Sequence, residues 1–246
     1  MAQITIFHTS DMHNKLTPEC AERLRQLKES VPGSLMLDSG DAIWSGNIYW
    51  RPGGEPILNM MNNIPYDALC MGNREYHFLG IGVSSKVSKA NFPILSANMR
   101  ASRDNLEMLT HPYVVFEREG VKVGVMGLTV PCITEKMLVK KLSDYYFVQP
   151  IEAAIELVPK LKQEVDVLVA LTHIGIKNDR LLAESVSGID VILGGHTHMV
   201  TPETEKVRET YILHHGFFVH YVGKVGIEIE SGKIKLTDEL IPLEKA

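Results

Sequence analysis

Five times along this chain, residues of the kinds that hold metal ions gather in a short cluster, and four of these clusters follow directly on an apolar run. Asp11 and His13 follow residues 4–7, Asp41 follows 35–37, His173 follows 165–171, and His196 with His198 follows 191–193. Gly72-Asn73 is the fifth. Short apolar runs alternating with helical patterns read as buried strands, and open α/β sheets put their sites in the loops at the carboxyl ends of such strands. Clusters so distant in sequence converge only if those strands lie side by side in one core. This condition narrows the chain to an α/β architecture, with two sheets stacked inside helical layers.

Periodicity fills in the elements. Residues 4–7, 35–37, 94–95, 165–171 and 191–193 read as strands, and 113–116 with 121–125 as a hairpin around Glu119-Gly120. Helical spacing covers 18–31, through Leu24, Leu27 and Val31, and 150–164, through Ile151, Ala154, Ile155, Val158 and Leu161. Residues 56–63 form a helix opening on proline, and 181–186 a shorter one. Residues 211–213, 217–222 and 225–230 read as a closing run of antiparallel strands.

A length of 246 residues suits one large domain. The net charge of -5, with no long Lys/Arg run, argues against a dedicated binder of long nucleic acid or anionic membrane. No run approaches the roughly 18 apolar residues that span a bilayer. The start lacks the basic and long apolar segments of a signal peptide. Cys20, Cys70 and Cys132, odd in number and widely spaced, read as buried small hydrophobes of a reducing compartment. A cytoplasmic protein is the expectation.

The clusters differ in specificity. Asp11-Met12-His13 places a carboxylate and an imidazole two residues apart, which in an extended segment point the same way; alone it is a weak signal. Gly40-Asp41 and Gly72-Asn73 are equally compatible with turns. Gly194-Gly195-His196-Thr197-His198 is stronger, since paired glycines let the chain bend tightly and H-x-H aims two imidazoles at one place.

In this order and spacing the set resembles that of the calcineurin-like metallophosphoesterases. The segments His8-Thr9-Ser10-Asp11-Met12-His13 and Gly194 to His198 resemble the 5′-nucleotidase branch, as do Tyr66-Asp67, Asn98, Pro112-Tyr113 and residues 122–129. The resemblance covers nearly the whole chain. It implies a four-layer α/β/β/α sandwich of two mixed sheets flanked by helices, carrying two divalent metal ions. Asp11, His13 and His198 would hold the first ion, Asn73, His173 and His196 the second, and Asp41 would bridge both, since a carboxylate has two oxygens to share. A hydroxide shared by the ions would attack phosphorus. Ligands of His, Asn and carboxylate without thiolate suit Mn, Fe, Zn or Co better than Ca. Full-length members of that branch continue into a nucleoside-binding domain; residues 1–246 are expected to form the metallophosphoesterase domain alone.

One motif departs from the family. Where the family writes G-N-H-E-F-D, this chain has Gly72-Asn73-Arg74-Glu75-Tyr76-His77. The family histidine contacts phosphate and helps the leaving group, and the aspartate orients it. Arg74 supplies charge and bidentate hydrogen bonds but no proton, its pKa staying above about 12. If residues 73–77 begin a helical turn, Arg74 and His77 share a face, and His77 offers the proton; equally, His77 fills the pocket wall. Arg74 and His77 are thus the catalytic candidates. Trp44, Tyr49, Trp50 and Arg51 form a loop suited either to stacking on a base or aryl group or to a hydrophobic anchor or dimer contact. His214, His215 and His220 read as structural or rim residues.

Three functions fit. The first is hydrolysis of a small phosphomonoester or nucleotide. The second is a phosphodiesterase for cyclic or dinucleotide substrates. The third is a metal-bound, catalytically weak sensor or partner protein.

Overall fold

The computed structural model describes residues 2–230 and 232–243. Strands β1 (Ala2–Thr9), β2 (Leu35–Asp38), β3 (Ala68–Cys70) and β4 (Ile94–Leu95) run parallel. Beyond β1 come β13 (Tyr221–Glu230) and β14 (Lys233–Pro242), each antiparallel to its neighbour, giving the order β14-β13-β1-β2-β3-β4. The second sheet has parallel β7 (Val121–Thr129), β9 (Val167–His173), β10 (Val191–Gly194) and β12 (Thr210–His214). Its antiparallel edges are β6 (Tyr113–Arg118) and β11 (Glu205–Val207). A small pair, β5 (Met99–Ala101) with β8 (Tyr145–Phe147), stands apart.

Side-chain alternation builds the layers. Ile4 and Ile6 of β1, Leu35 and Leu37 of β2, and Val167, Val169 and Leu171 of β9 meet in the core between the sheets. Phe7 and Met36 point the other way, onto α1 (Pro18–Ser30) and α2 (Pro56–Asn63). Leu168 and Ala170 pack under α4 (Pro150–Leu161) and α5 (Ile176–Ser185). Every residue of β9 is buried, as its unbroken apolar run requires. The result is the α/β/β/α sandwich of two mixed sheets. Thr17 starts α1, its hydroxyl accepting from Cys20 N at 3.2 Å, with Pro18 at the first helical position. Among the described residues, no helix is long and apolar enough to cross a membrane.

Several expectations change. The closing run is not one set of antiparallel strands: β12 lies parallel to β10 in the second sheet, whereas β13 joins the first. Residues 217–220 are a turn, with Phe218 and Val219 at φ 54° and 64°. Helix α5 begins at Ile176, five residues before the expected start at 181. Strands β3, β5, β8, β11 and β14 and helix α3 (Gly80–Val87) are additional to the elements read from periodicity.

Candidate metal centre

The parallel strands β1, β2, β3, β9 and β10 deliver the seven predicted ligands from their carboxyl ends. His173 closes β9, and the others lie in the loops that follow. Five of the seven occupy the left-handed region: Asp11 (φ 51°), His13 (45°), Asp41 (55°), His196 (77°) and His198 (54°). The expectation of an extended D-x-H segment is therefore overturned. Such conformations cost about 1–3 kcal/mol each and persist where surrounding contacts over-determine them. Here the first two loops are laced together: Asp11 N donates to Gly40 O at 2.9 Å, His13 N to Asp41 O at 2.9 Å and Asn14 N to Ala42 O at 2.7 Å.

Two groups of ligand atoms converge. In one, His13 Nε2 and His198 Nε2 lie 3.1 Å apart, at 3.7 and 3.4 Å from Asp11 Oδ1. In the other, His173 Nε2 lies 3.5 Å from Asp41 Oδ1 and 3.3 Å from Asn73 Oδ1. Asp41 spans the two, its Oδ2 4.0 Å from His13 Nε2. The His196 ring packs edge-on to His173 at 5.0 Å, and its backbone N donates to Asp11 Oδ2 at 2.9 Å. Asp11 Oδ1 is buried without a hydrogen-bond partner. An unpaired buried carboxylate oxygen facing two imidazole nitrogens is costly unless a cation joins them, so the donor set fits a metal.

The electrostatics agree. Burial pushes the Asp11 carboxyl up, but His13 and His198 outweigh it and hold the group far below the usual carboxylate range. Burial likewise raises Asp41, and His173 overcomes it. For His173, burial favours the neutral ring, yet Asp41 pushes its pKa up to about 10. Carboxylates held ionised beside these imidazoles are suited to a divalent ion.

Other side chains hold the ligands in place. His173 Nδ1 lies 2.8 Å from Ser39 O, which fixes which nitrogen faces the centre. Glu75, buried, accepts from Asp41 N and Gly72 N at 2.9 Å and from Ile43 N at 3.3 Å. Its role escapes a reading of ligand types because its oxygens bind backbone; the hint was an acid three residues after Gly72 at a turn. Ser10 Oγ bonds Asp11 Oδ2, and Gly195 leaves room for both, since a Cβ there would lie 2.4 Å from Ser10 Oγ. Phe217 stacks on His198 at 4.8 Å and Phe218 meets His13 edge-on at 5.4 Å.

The structure separates the two catalytic candidates. Arg74 joins the centre, its N donating to Asp41 Oδ1 at 2.7 Å and its Nε 3.6 Å from Asp41 Oδ2. The turn at residues 73–75 ends before His77, so the two share no helical face. His77 is buried between Trp50, 4.7 Å away edge-on, and Phe78, stacked at 4.6 Å, and its Nδ1 accepts from Leu79 N at 3.0 Å. That is the wall-filling arrangement. His214 and His215 are structural: His214 Nε2 pairs with Asp179 at 2.7 Å and His215 Nε2 with Asp238 at 3.0 Å.

His8 stands behind the centre, its Nε2 2.7 Å from Ser39 Oγ and its Nδ1 2.6 Å from His215 Nδ1. Burial first, then His215 and His214, press its pKa well below the ordinary 6.5. The folded state thus binds fewer protons than the unfolded one, so His8 contributes stability above pH 6.5 that is lost as pH falls below that value. The melting temperature should drop as pH is lowered from about 7.5 to 5, and His8→Gln should flatten the drop. An unchanged slope in the variant would assign the loss to other groups.

Comparison with known proteins follows the same line. A sequence profile described as calcineurin-like phosphoesterase matches residues 4–200. The trifunctional nucleotide phosphoesterase protein YfkN of Bacillus subtilis (strain 168) is 31% identical over 278 residues, covering 96% of this chain and 19% of its own. The 5′-nucleotidase of Bos taurus is 31% identical over 221 residues, covering 80% of this chain and 38% of its own. The chain therefore spans about a fifth to two fifths of the length of these relatives. The crystal structure of a 5′-nucleotidase precursor from Thermus thermophilus superposes with a TM-score of 0.82 at 25% identity, over 98% of this chain and 54% of that one.

Proposed function

This chain belongs to the calcineurin-like phosphoesterase family, and we propose that it hydrolyses small phosphoesters, nucleotides foremost, at a centre of two divalent ions. The observation that supports this reading is the convergence of Asp11, His13 and His198, and of Asp11, Asp41 and His173, at one place where Asp11 Oδ1 has no hydrogen-bond partner. Asp11, His13 and His198 would hold one ion, Asn73, His173 and His196 the other, with Asp41 between them. Bound there, such ions supply Lewis-acid charge to phosphoryl oxygens and a nucleophile from water near neutral pH. The nucleotide preference rests on the names of the relatives, a nucleotide phosphoesterase and a 5′-nucleotidase.

The chain's own residues do the rest. Asp41 stays ionised through His173 and presents both oxygens to the centre. Arg74 is anchored through NH1 to Trp44 O at 2.5 Å and through its backbone N to Asp41, which leaves guanidinium N–H groups for a phosphoryl oxygen. It stabilises charge without delivering a proton. General acid catalysis is worth about 10²–10⁴ in rate, so esters with poor leaving groups bear that loss and aryl phosphates do not.

The test is hydrolysis by Mn²⁺-supplemented protein of p-nitrophenyl phosphate, nucleoside 5′-monophosphates and cyclic nucleotides. Turnover that disappears on chelation is expected, fastest with the aryl ester. Arg74→Ala should lower kcat/KM by about 10–100-fold with metal content unchanged. Two bound ions and no hydrolysis of any ester would favour a binding protein instead.

A further inference from the structure

The loop between β2 and α2 presents apolar surface beside the centre: Trp44 is 53% exposed, Ile48 81% and Tyr49 62%. Exposed apolar loops are ordinarily free to move, but this one is fastened along its length. Arg74 NH1 donates to Trp44 O, Ser45 Oγ bonds Glu55, Ser85 Oγ bonds Arg51 O, and Trp50 packs on His77. The strongest fastening is Lys86 of α3. It is fully buried, and its Nζ donates to Gly46 O at 2.8 Å, Arg74 O at 2.6 Å and Tyr76 O at 2.7 Å. An ammonium has three donors, and burying it is tolerable only when they are met. Here one cation uses all three to tie the loop to the segment bearing Arg74. The relative position of Trp44 and Arg74 is thereby fixed: the Arg74 guanidinium lies 5.6 Å from the Trp44 ring centroid and reaches to within 3.6 Å of Asp41.

A charged group next to the shared carboxylate, with an exposed indole next to that group, is the layout for a ligand that is anionic at one end and flat and apolar at the other. We propose that Trp44, held beside Arg74 by Lys86, is a subsite for the planar group, aryl ring or nucleobase, of a phosphoester whose phosphoryl end sits at Asp41 and Arg74. The inference rests on the phosphoester reading above and adds to it the class of group attached to phosphorus. Arg74 lies over the indole ring and Trp44 as a residue is about half exposed, which leaves apolar area for a ring stacked on the side away from Arg74.

Two non-hydrolysable probes isolate the subsite: phenylphosphonate and methylphosphonate, titrated calorimetrically into the Mn²⁺-loaded full chain. The phenyl probe should bind about tenfold more tightly. Trp44→Ala should shrink that preference to about twofold or less, Trp44→Phe should keep most of it, and Ile48→Ala, in the same loop and more exposed, should keep all of it. No preference in the unaltered protein, a preference that survives Trp44→Ala, or one lost equally in Ile48→Ala would overturn the subsite. If methylphosphonate binds and the phenyl ring adds nothing, only the subsite falls. If neither probe binds, the phosphoester reading falls and takes the subsite with it.

Discussion

Asp41→Ala is expected to lower kcat/KM by about a thousandfold or more and to reduce bound metal from two ions to one or none. Asp41 presents one oxygen to each ligand group, at 3.5 Å from His173 Nε2 and 4.0 Å from His13 Nε2. It also fixes Arg74, accepting its backbone N–H at 2.7 Å. Removing it takes away the proposed shared ligand, the partner of His173 and the backbone anchor of Arg74 together. The fold should survive, because the carboxylate lies at the loop ends and not between the sheets. Elemental analysis, circular dichroism and kinetics on the same preparation decide the matter. A variant with both ions and a tenth of the activity would show that Asp41 is dispensable.

The second large effect is expected from a single methyl group. In Gly72→Ala the new Cβ would lie 2.3 Å from Asp41 Oδ1, 2.4 Å from Asp41 N and 2.8 Å from Glu75 Oε2. None of these has room to yield: Asp41 N and Gly72 N are both bonded to Glu75, and Asp41 is in the left-handed region. Overpacking a buried site costs about 1–3 kcal/mol, and a chain of this size loses about 2–4 °C per kcal/mol. The melting temperature should fall by about 2–12 °C, and activity should fall about a hundredfold or more as Asp41 is displaced. Gly53→Ala is the comparison, since its Cβ would meet nothing within 4 Å; it should melt with the parent. Equal melting of the Gly72 variant would mean the site is looser than its contacts indicate.

The sandwich and the placing of the candidate ligands at its strand ends were legible because both follow from local rules. Apolar runs buried on two faces mark parallel strands, and their carboxyl ends carry the polar clusters. What was not legible depends on distant partners. Helix α3, with Gly80 and Gly82 in an eight-residue span, has weak intrinsic propensity; its first N–H is met by Asp144 Oδ2 at 2.7 Å, a cap 64 residues away. Residues 217–222 alternate like a strand, but Phe218 is drawn into a turn whose N–H bonds Asp11 O at 3.0 Å. Strand β14 exposes alternate residues as an edge, so Lys233, Lys235 and Glu239 hide its pattern. At the centre, residue types named the candidate ligands, whereas the left-handed backbone, the Glu75 brace and the wall position of His77 exist only once the loops meet.

Anomalous diffraction from crystals grown with Mn²⁺ tests the dinuclear centre most directly. Two peaks are expected, one among Asp11, His13 and His198, the other among Asn73, His173 and His196, with Asp41 between them. A single peak, or peaks away from Asp41, would contradict it.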